Sequence, residues 1–341
     1  MLTTEPTEPA AVRRIIVLRP NHRIGNTLLL TPLMQELEAR FPEAEVALVT
    51  AGGAARPVFS GYPRVATLYS FPGKSYRHPY RVLCRLVELR RASYDIAIDP
   101  TTRSRAGRFL LQYVRARRRI GFAWGVPGQD RVVTDVVDPA CAPAHHAEIP
   151  VFLVRTALRP RGAPEVDTGA ANLPLDIRLS AAERQTGVRE LAVALGHAEP
   201  RSQPVVGLYA HATGDKCFPP EWWHGLVDAL RARAPSLQLI EFLPEDGHSR
   251  LGDQVRGTYT PDLRMLAAKI AATSLFVIAD GGILHLADAA GAKVLALFRT
   301  TAPSQYAPRG PGCQALSAAD QVPEAVAARI CEQLAHTQLP A

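Results

Sequence analysis

Leu275-Phe276-Val277-Ile278-Ala279-Asp280-Gly281-Gly282-Ile283-Leu284-His285-Leu286-Ala287-Asp288-Ala289-Ala290-Gly291 is the stretch that decides the fold. The apolar run Leu275 to Ile278 meets Asp280-Gly281-Gly282, and an apolar helical pattern (Ile283, Leu284, Leu286, Ala287, Ala290) begins at once. This reads as a buried strand stopping against a helix N-terminus, with no side chain at Gly281 or Gly282 to bar a ligand. Free N–H groups and the positive end of the helix dipole make such a turn a seat for phosphate. An α/β protein that binds nothing there shows the same pattern, so the turn needs support from the rest of the chain.

That support comes from a second loop, Tyr209-Ala210-His211-Ala212-Thr213-Gly214-Asp215-Lys216-Cys217-Phe218-Pro219. A strand ends there, Thr213 offers a hydroxyl, Gly214 permits a tight turn and Lys216 carries a point charge. Pro219-Pro220 then opens a helix, with proline suited to its first turn. In a doubly wound domain both loops lie at the carboxyl edge of the sheet, so Thr213 and Lys216 face one phosphate while Gly281 and Gly282 approach another.

Further strands are expected at Arg14–Leu18, 45–50, 65–69, 95–99, 119–122, 204–209, 237–242 and 293–298. The spacing predicts an amphipathic helix over 28–41, basic helices near 81–91 and 103–114, and helices at 181–195 and 323–334. Alternation of this kind implies a parallel sheet covered on both faces, and it occurs twice. The chain is thus expected to be α/β, with two Rossmann-like domains. The expected boundaries are a disordered tail at 1–11, an N-terminal domain at 12–165, a linker and helix at 166–200, and a C-terminal domain at 201–341. The Pro-, Gly- and Ala-rich run 158–171 marks the joint, and a cleft between two such domains is a preferred place for ligands.

Composition narrows the class. With 47% hydrophobic and 21% charged residues among 341, the chain has room for two ordinary globular cores. No apolar run approaches the ~20 residues that span a bilayer. Met1 to Ala11 holds acids and prolines rather than a basic-then-apolar leader, so a cytoplasmic protein is expected. The five cysteines are scattered and form no Cys-x-x-Cys pair, which points to reduced thiols and away from a disulfide framework or zinc site. His145-His146 with Glu148 lacks a third metal ligand, and reads as loop or cleft-edge histidines. The net charge of +7 is concentrated: from Lys74 to Arg119 there are 13 Lys/Arg against three acids, Glu88, Asp95 and Asp99. Such a block suits an acidic substrate, phospholipid head groups or nucleic acid.

The first strand leads into Arg19-Pro20-Asn21-His22-Arg23-Ile24-Gly25-Asn26-Thr27, another turn at a carboxyl edge. Asn26 fits there as a helix N-cap and Gly25 as the turn residue, and Thr31-Pro32 suits a first helical turn.

Taken together, Arg19-x-x-x-x-Ile24-Gly25-Asn26-Thr27-Leu28-Leu29-Leu30-Thr31-Pro32 resembles the opening signature of the ADP-heptose:lipopolysaccharide heptosyltransferases, glycosyltransferase family 9. Tyr94-Asp95-Ile96-Ala97-Ile98-Asp99 and Arg118-Arg119-Ile120-Gly121-Phe122 are similar to the next family motifs. His211-Ala212-Thr213-x-x-Lys216-x-x-Pro219 and Asp280-Gly281-Gly282-Ile283-Leu284-His285 match its nucleotide-sugar motifs. The resemblance runs in order over about 13–318. It implies the GT-B fold, with the two domains facing each other across a cleft. It also implies inverting transfer from an ADP-sugar without metal or cofactor, and an anionic glycolipid acceptor reached at the inner face of the inner membrane.

By position, the resemblance puts Thr213 and Lys216 on the diphosphate, and Asp280, Gly281, Gly282 and His285 around the phosphates and donor sugar. Glu245 or Asp246 is the candidate for the ribose, and a solvated loop acid reads equally well there. Arg19, Arg23, Arg103 and Arg119 are the expected acceptor contacts. One position departs from the family. Its members usually carry Asp as general base where this chain has Asn26, and a carboxamide cannot take a proton at neutral pH. Either His22 or Asp99 is then the base, or transfer proceeds slowly by positioning and leaving-group stabilisation, or the chain binds the sugar nucleotide without turnover. Two other classes fit less well. A dehydrogenase needs Gly-x-Gly-x-x-Gly after its first strand, which neither loop supplies, and a nucleic-acid binder leaves the phosphate loops unexplained.

Overall fold

A computed structural model describes residues 12–72, 77–160, 173–199 and 203–338. The expected tail at 1–11, Lys74 of the basic block and most of the Pro/Gly/Ala-rich joint lie outside the described residues. The chain divides into two compact units, Met1–Leu173 and Pro174–Ala341.

The first unit runs β1 (Arg14–Leu18), α1 (Ile24–Leu28), α2 (Thr31–Arg40), β2 (Glu45–Ala51), α3 (Ala55–Phe59), β3 (Val65–Phe71), α4 (Pro79–Arg91), β4 (Ser93–Ile98), α5 (Arg105–Tyr113), β5 (Arg115–Phe122), α6 (Pro127–Asp130), β6 (Asp135–Val137) and α7 (Ile149–Ala157). Its described strands form one parallel sheet in the order β3-β2-β1-β4-β5-β6. Ile15 to Leu18 are fully buried, because a central parallel strand is covered on both faces and cannot alternate apolar with polar residues.

The helix expected over 28–41 is α2, which starts later, at Thr31 with Pro32 in its first turn, and a separate short helix, α1, precedes it across the turn at Leu29-Leu30. Asn26 is therefore no N-cap. It lies inside α1, whose N-cap is Arg23 with no side-chain cap bond, while the Asn21 side chain accepts from the Arg23 N–H at 2.8 Å.

The second unit runs α8 (Ala181–Ala194), β7 (Val205–Tyr209), α9 (Pro220–Arg233), β8 (Gln238–Phe242), β9 (Arg256–Thr258), α10 (Leu263–Ala271), β10 (Leu275–Ala279), α11 (Gly282–Ala289), β11 (Val294–Phe298), α12 (Pro303–Tyr306), β12 (Gln314–Ser317) and α13 (Pro323–Gln338). Its sheet is also parallel, in the order β12-β11-β10-β7-β8-β9. Counted from the first strand of each unit, the two orders are the same doubly wound 3-2-1-4-5-6.

α8, grouped with the linker in the sequence reading, belongs to this second unit. Ser180 and Glu183 close a capping box at its start. Gly187 lets it lie against the Ala268 backbone of α10, where a Cβ would collide. The Arg264 guanidinium bonds Glu183 and the carbonyls of Ile177 and Arg178 (both 2.9 Å), which fixes the entry of the chain. Trp223 is fully buried in the core, whereas Trp222 is half-buried and donates to the Gln321 carbonyl at 2.9 Å.

Candidate functional site

In a doubly wound sheet the carboxyl ends of the first and fourth strands splay apart, and ligands enter there. The second unit places β7 beside β10 in parallel register, so the loops after Tyr209 and Ala279 share that edge. A short 3-10 turn over Gly214–Lys216 bends the first loop, with Gly214 at φ +61°, a left-handed conformation that favours glycine. Lys216 is thereby carried onto Asp280, and its ammonium donates to the carboxylate. Asp280 is 3% exposed. An ammonium has three donors, so this pairing leaves others for an anion. The same ammonium stands 5.8 Å from the centre of the Tyr306 ring, and buried His285 stacks at a tilt 5.9 Å from that ring. Arg299, at the end of β11, donates to the Cys217 carbonyl and steadies the loop from the other side.

Gly281 is the N-cap of α11 with an extended backbone, φ −176°. A Cβ placed on it would meet only the Ala279 carbonyl, at 3.8 Å, so the space above the helix start is open. Thr213 is exposed at the head of the 3-10 turn. Thr213, Lys216, Asp280, Gly281 and Gly282 thus come to one edge, with His285 behind them. Glu245 sits on an exposed turn after β8, closed by the Gly247 N–H donating to Pro244 at 3.0 Å. Two side chains there were not singled out from sequence. Tyr306 arrives from the end of α12, the short helix after β11. Glu241, fully buried in β8, accepts from the Ser249 hydroxyl and from the Arg250 N–H (3.0 Å) and so shapes the loop after that strand. His211 lies 3.8 Å from Glu241, and burial followed by the Arg250 charge lowers its pKa.

The first unit has its own switch point between β1 and β4. A pocket of about 140 Å³ opens there, lined by Arg19, Asn26, Leu29, Leu30, Pro100, Thr101, Thr102, Arg103, His146, Ile149 and Pro150. Arg103 also leans on the Trp124 ring, 5.8 Å from its centre. Asp99 is fully buried beneath this pocket. Its Oδ1 accepts from the Thr101 hydroxyl at 2.6 Å and from the Thr101 N–H at 3.3 Å. Gly107 of α5 closes the other side, since a Cβ there would come within 2.7 Å of the carboxylate. Burial pushes the Asp99 carboxyl up to about 6 against the opposing pull of Thr101, Arg108 and Arg19. Asp99 therefore meets Thr101, not the open pocket.

His22 and Arg23 are exposed and take no part in the pocket lining, and the Cβ of His22 faces Gly52 after β2. His145 is buried and its Nδ1 accepts from the Ala147 N–H at 3.3 Å, whereas half-buried His146 faces the pocket. Burial first, then His145 and Arg19, lower the His146 pKa, so its ring is neutral at pH 7. Among the described residues no group of three His, Cys, Asp or Glu is placed to hold a metal ion.

The arginine block is less uniform than its sequence implies. Arg119, an expected acceptor contact, turns towards the amino edge of the sheet, where it donates to the carbonyls of Leu111 (3.1 Å) and Val114 (3.4 Å). It satisfies the C-terminal carbonyls of α5, as basic side chains commonly do. Arg108 is 1% exposed and donates to Phe122 (2.6 Å) and Gln129 (3.0 Å), and Arg118 pairs with Asp135 at 2.6 Å. Arg108 is withdrawn from any anion-attracting surface and Arg118 is tied up in its pair, whereas Arg119, though bonded to the end of α5, still lines an amino-edge pocket with Arg13, Arg14, Arg90, Arg115 and Arg117.

Two loops at the switch point of a doubly wound sheet, preceded by a second doubly wound unit, are what the family comparison then accounts for. Residues 85–334, well over half of the chain, match the model of glycosyltransferase family 9 (heptosyltransferase). The chain belongs to glycosyltransferase family 9. Solved structures agree with the GT-B fold of that family. ADP-heptose lipopolysaccharide heptosyltransferase II from E. coli superposes with a TM-score of 0.70 at 18% identity, covering 96% of this chain and 100% of that one. A family 9 glycosyltransferase from Veillonella parvula gives 0.74 at 17% identity, over 98% and 92%. The E. coli heptosyltransferase WaaC with ADP gives 0.72 at 16%, over 94% and 99%. Comparison with curated protein sequences found no match.

Proposed function

We propose that this family 9 glycosyltransferase moves heptose from ADP-heptose, with inversion, onto a lipopolysaccharide core or related anionic glycan. The observation that carries the reading is the meeting of Lys216, Asp280 and the open helix start at Gly281–Gly282 on one sheet edge. In-line attack on the anomeric carbon builds negative charge on the departing phosphate. Lys216, the Thr213 hydroxyl and the first N–H groups of α11 supply donors that are already in place when that charge appears. The E. coli heptosyltransferase WaaC has been solved with ADP and with ADP-2-deoxy-2-fluoro heptose, which supports the adenine nucleotide as donor carrier. A second reading, a sugar-nucleotide binder with weak or no turnover, is favoured by one residue, Asn26.

The acceptor side is read as membrane-facing, at the cytoplasmic surface. No helix among the described residues is long and apolar enough to cross a membrane. α4, however, is apolar on both sides. Leu89 is buried, while Tyr80, Leu83 and Val87 share an outward stripe at 77%, 59% and 38% exposure, flanked by Arg81, Arg90 and Arg91. An outward apolar stripe between arginines is the pattern of a helix lying in an anionic lipid interface.

A thermal-shift panel of ADP-, UDP-, GDP- and CMP-sugars tests the donor. ADP-sugars are expected to raise Tm, by about 2.7 kcal/mol of stabilisation at a hundredfold excess over Kd, and the other nucleotides are not. Equal response to all four, or to none, ends the proposal. Co-sedimentation with phosphatidylglycerol vesicles but not with phosphatidylcholine vesicles is expected for the membrane face, and its loss in Leu83→Glu ties it to α4.

A further inference from the structure

We propose that the amino edge of the first unit's sheet is a binding site for the phosphate of an anionic phospholipid head group. The proposal rests on the membrane-facing reading of α4 above and names the polar half of that surface. Three adjacent parallel strands, β1, β4 and β5, begin side by side at this edge, with Ser93 beside Arg115 and Tyr94 beside Ala116. A recess of about 660 Å³ opens among their first residues, ringed by Arg13, Arg14, Arg90, Arg115, Arg117 and Arg119. Side chains alternate along a strand, so Arg115, Arg117 and Arg119 leave β5 on one face. Arg118 leaves on the other and pairs with Asp135. Arg90 comes from the last turn of α4.

Among the described residues, the charge of this recess is not balanced from within. Asp95 is the single carboxylate of the lining, against six guanidiniums. Its Oδ2 accepts from the backbone N–H groups of Arg13 (2.9 Å) and Arg14 (3.0 Å), and the Arg117 Nε stands 4.0 Å from its Oδ1. Arg14 lies over the Tyr94 ring, 5.2 Å from its centre. Arg90 donates to the Tyr113 carbonyl at 2.7 Å, and Arg119 to the carbonyls of Leu111 and Val114. These contacts orient the cationic heads without neutralising them, because a ring face and a carbonyl carry no net charge. A guanidinium has five N–H donors, so Arg90 and Arg119 keep others for a ligand. Arg115 is exposed, and the Arg117 side chain is 81% exposed. Like charges round one recess repel each other, and an anion with several oxygens relieves that repulsion. Phosphate does so with paired oxygens that match the guanidinium fork.

The neighbouring surface favours a lipid as the carrier of that phosphate. Along α4, Tyr80, Leu83, Val87 and Arg90 follow one another at spacings of three and four, so they share one side of the helix. The exposed apolar stripe therefore runs into the recess. A helix lying in a bilayer interface buries such a stripe among acyl chains, while basic side chains at its border reach the phosphates. A free phosphate compound or a polynucleotide would leave Tyr80, Leu83 and Val87 facing water. The recess lies at the opposite edge of the sheet from the pocket lined by Arg19 and Asn26, so a head group held here leaves that pocket open.

The test is co-sedimentation of the full chain with vesicles of phosphatidylglycerol mixed into phosphatidylcholine. The wild type is expected to bind, and to bind less as NaCl rises from about 0.05 to 0.5 M. Arg115→Gln with Arg117→Gln should weaken binding at least about tenfold, with Tm and the ADP thermal shift unchanged. Arg56→Gln with Arg131→Gln removes the same charge from exposed residues of the same unit outside the recess, and should weaken it less than about threefold. Free glycerol phosphate, matched in concentration to the accessible lipid, should not displace the chain. Undiminished binding in Arg115→Gln/Arg117→Gln overturns the site and leaves the α4 reading intact. Equal losses in the two double variants overturn it as well, since the attraction is then a diffuse field. Displacement by glycerol phosphate overturns the lipid as carrier. A wild type that ignores the vesicles and binds a single-stranded oligonucleotide overturns both the site and the membrane reading, while the donor reading stands or falls separately on the ADP thermal shift.

Discussion

Asp99 and Asp280 occupy the same place in two copies of one topology. Each is the first residue after the fourth strand of its unit, and each is buried, at 0% and 3% exposure. They differ in what answers them. Asp280 receives an ammonium, Lys216, delivered by the loop after the unit's first strand. Asp99 receives a neutral hydroxyl, Thr101, and a wall of backbone at Gly107. Topology therefore places a polar group at the switch point in both units, while the partner decides its chemistry. On the proposed function, a carboxylate holding an ammonium on the rim prepares a site for phosphate. A carboxylate sealed under a threonine prepares a floor for a hydroxyl.

The contrast is broken most severely at Lys216. Lys216→Ala removes the donor proposed to meet the developing phosphate charge, so kcat/KM is expected to fall by about 10²- to 10³-fold, with ADP stabilisation lost. It also leaves Asp280 buried without its cation, expected to cost about 2 kcal/mol, less than a fully enclosed pair because Lys216 is a third exposed. Lys216→Ala with Asp280→Asn separates the two effects. Denaturant unfolding should recover towards wild type, and transfer should not. Undiminished ADP binding in Lys216→Ala would show that the rim pair has nothing to do with phosphate.

The parts of this arrangement that were legible in sequence are those encoded locally. Continuous apolar runs betray β1, β10 and β11, because central parallel strands are buried on both faces and cannot alternate. The short edge strands β6, β9 and β12 have three or four residues each and leave no such run. The loops at 209–219 and 280–285 were legible because their chemistry is contiguous. The first unit's pocket was not, because His146 is brought to Asn26 across some 120 residues by the packing of α7 against α2. The signal for α7 was present in Pro150-Val151-Phe152-Leu153-Val154, an apolar run with proline in its first turn. Arginine was misleading for a physical reason. Its charge registers in any count, but five donors on a planar head also satisfy orphan carbonyls, and Arg108 and Arg119 both do so.

Asp99 gives the next effect in size, on stability rather than rate. Its carboxyl is raised to about 6 from an ordinary value near 3.8, so between roughly pH 4 and 6 the folded chain holds a proton that the unfolded chain has released. The folded state binds more protons in that window, and stability therefore falls as pH rises through it and is flat above. That displacement corresponds to about 3 kcal/mol. Asp99→Asn keeps the acceptor for Thr101 and removes the charge, so its stability should vary less between pH 4.5 and 7.5 than the wild type's. Its buried amide lacks a partner and gives back about 1 kcal/mol. Asp280→Asn should behave oppositely at pH 7, losing stability with its ion pair. Equal pH slopes for wild type and Asp99→Asn, measured by thermal unfolding, would show that Asp99 is not a strained buried carboxyl.

Gly281 offers the smallest and most selective change. Its backbone is extended, φ −176°, a conformation alanine adopts, and the nearest atom to an added Cβ is the Ala279 carbonyl at 3.8 Å. Nothing in the folded chain opposes a methyl group there. Gly281→Ala should leave Tm within about 0.5 kcal/mol of wild type, or raise it slightly by restricting the unfolded chain. The methyl nevertheless stands over the first N–H groups of α11, where a diphosphate must come close to bond them. ADP affinity, measured by calorimetric titration, is expected to weaken about tenfold, or ~1.4 kcal/mol. A glycine that the protein does not need and the ligand does is a signature of approach from outside. Unchanged ADP affinity in a fully stable Gly281→Ala chain would move the phosphate elsewhere and remove the distinction between the two switch points.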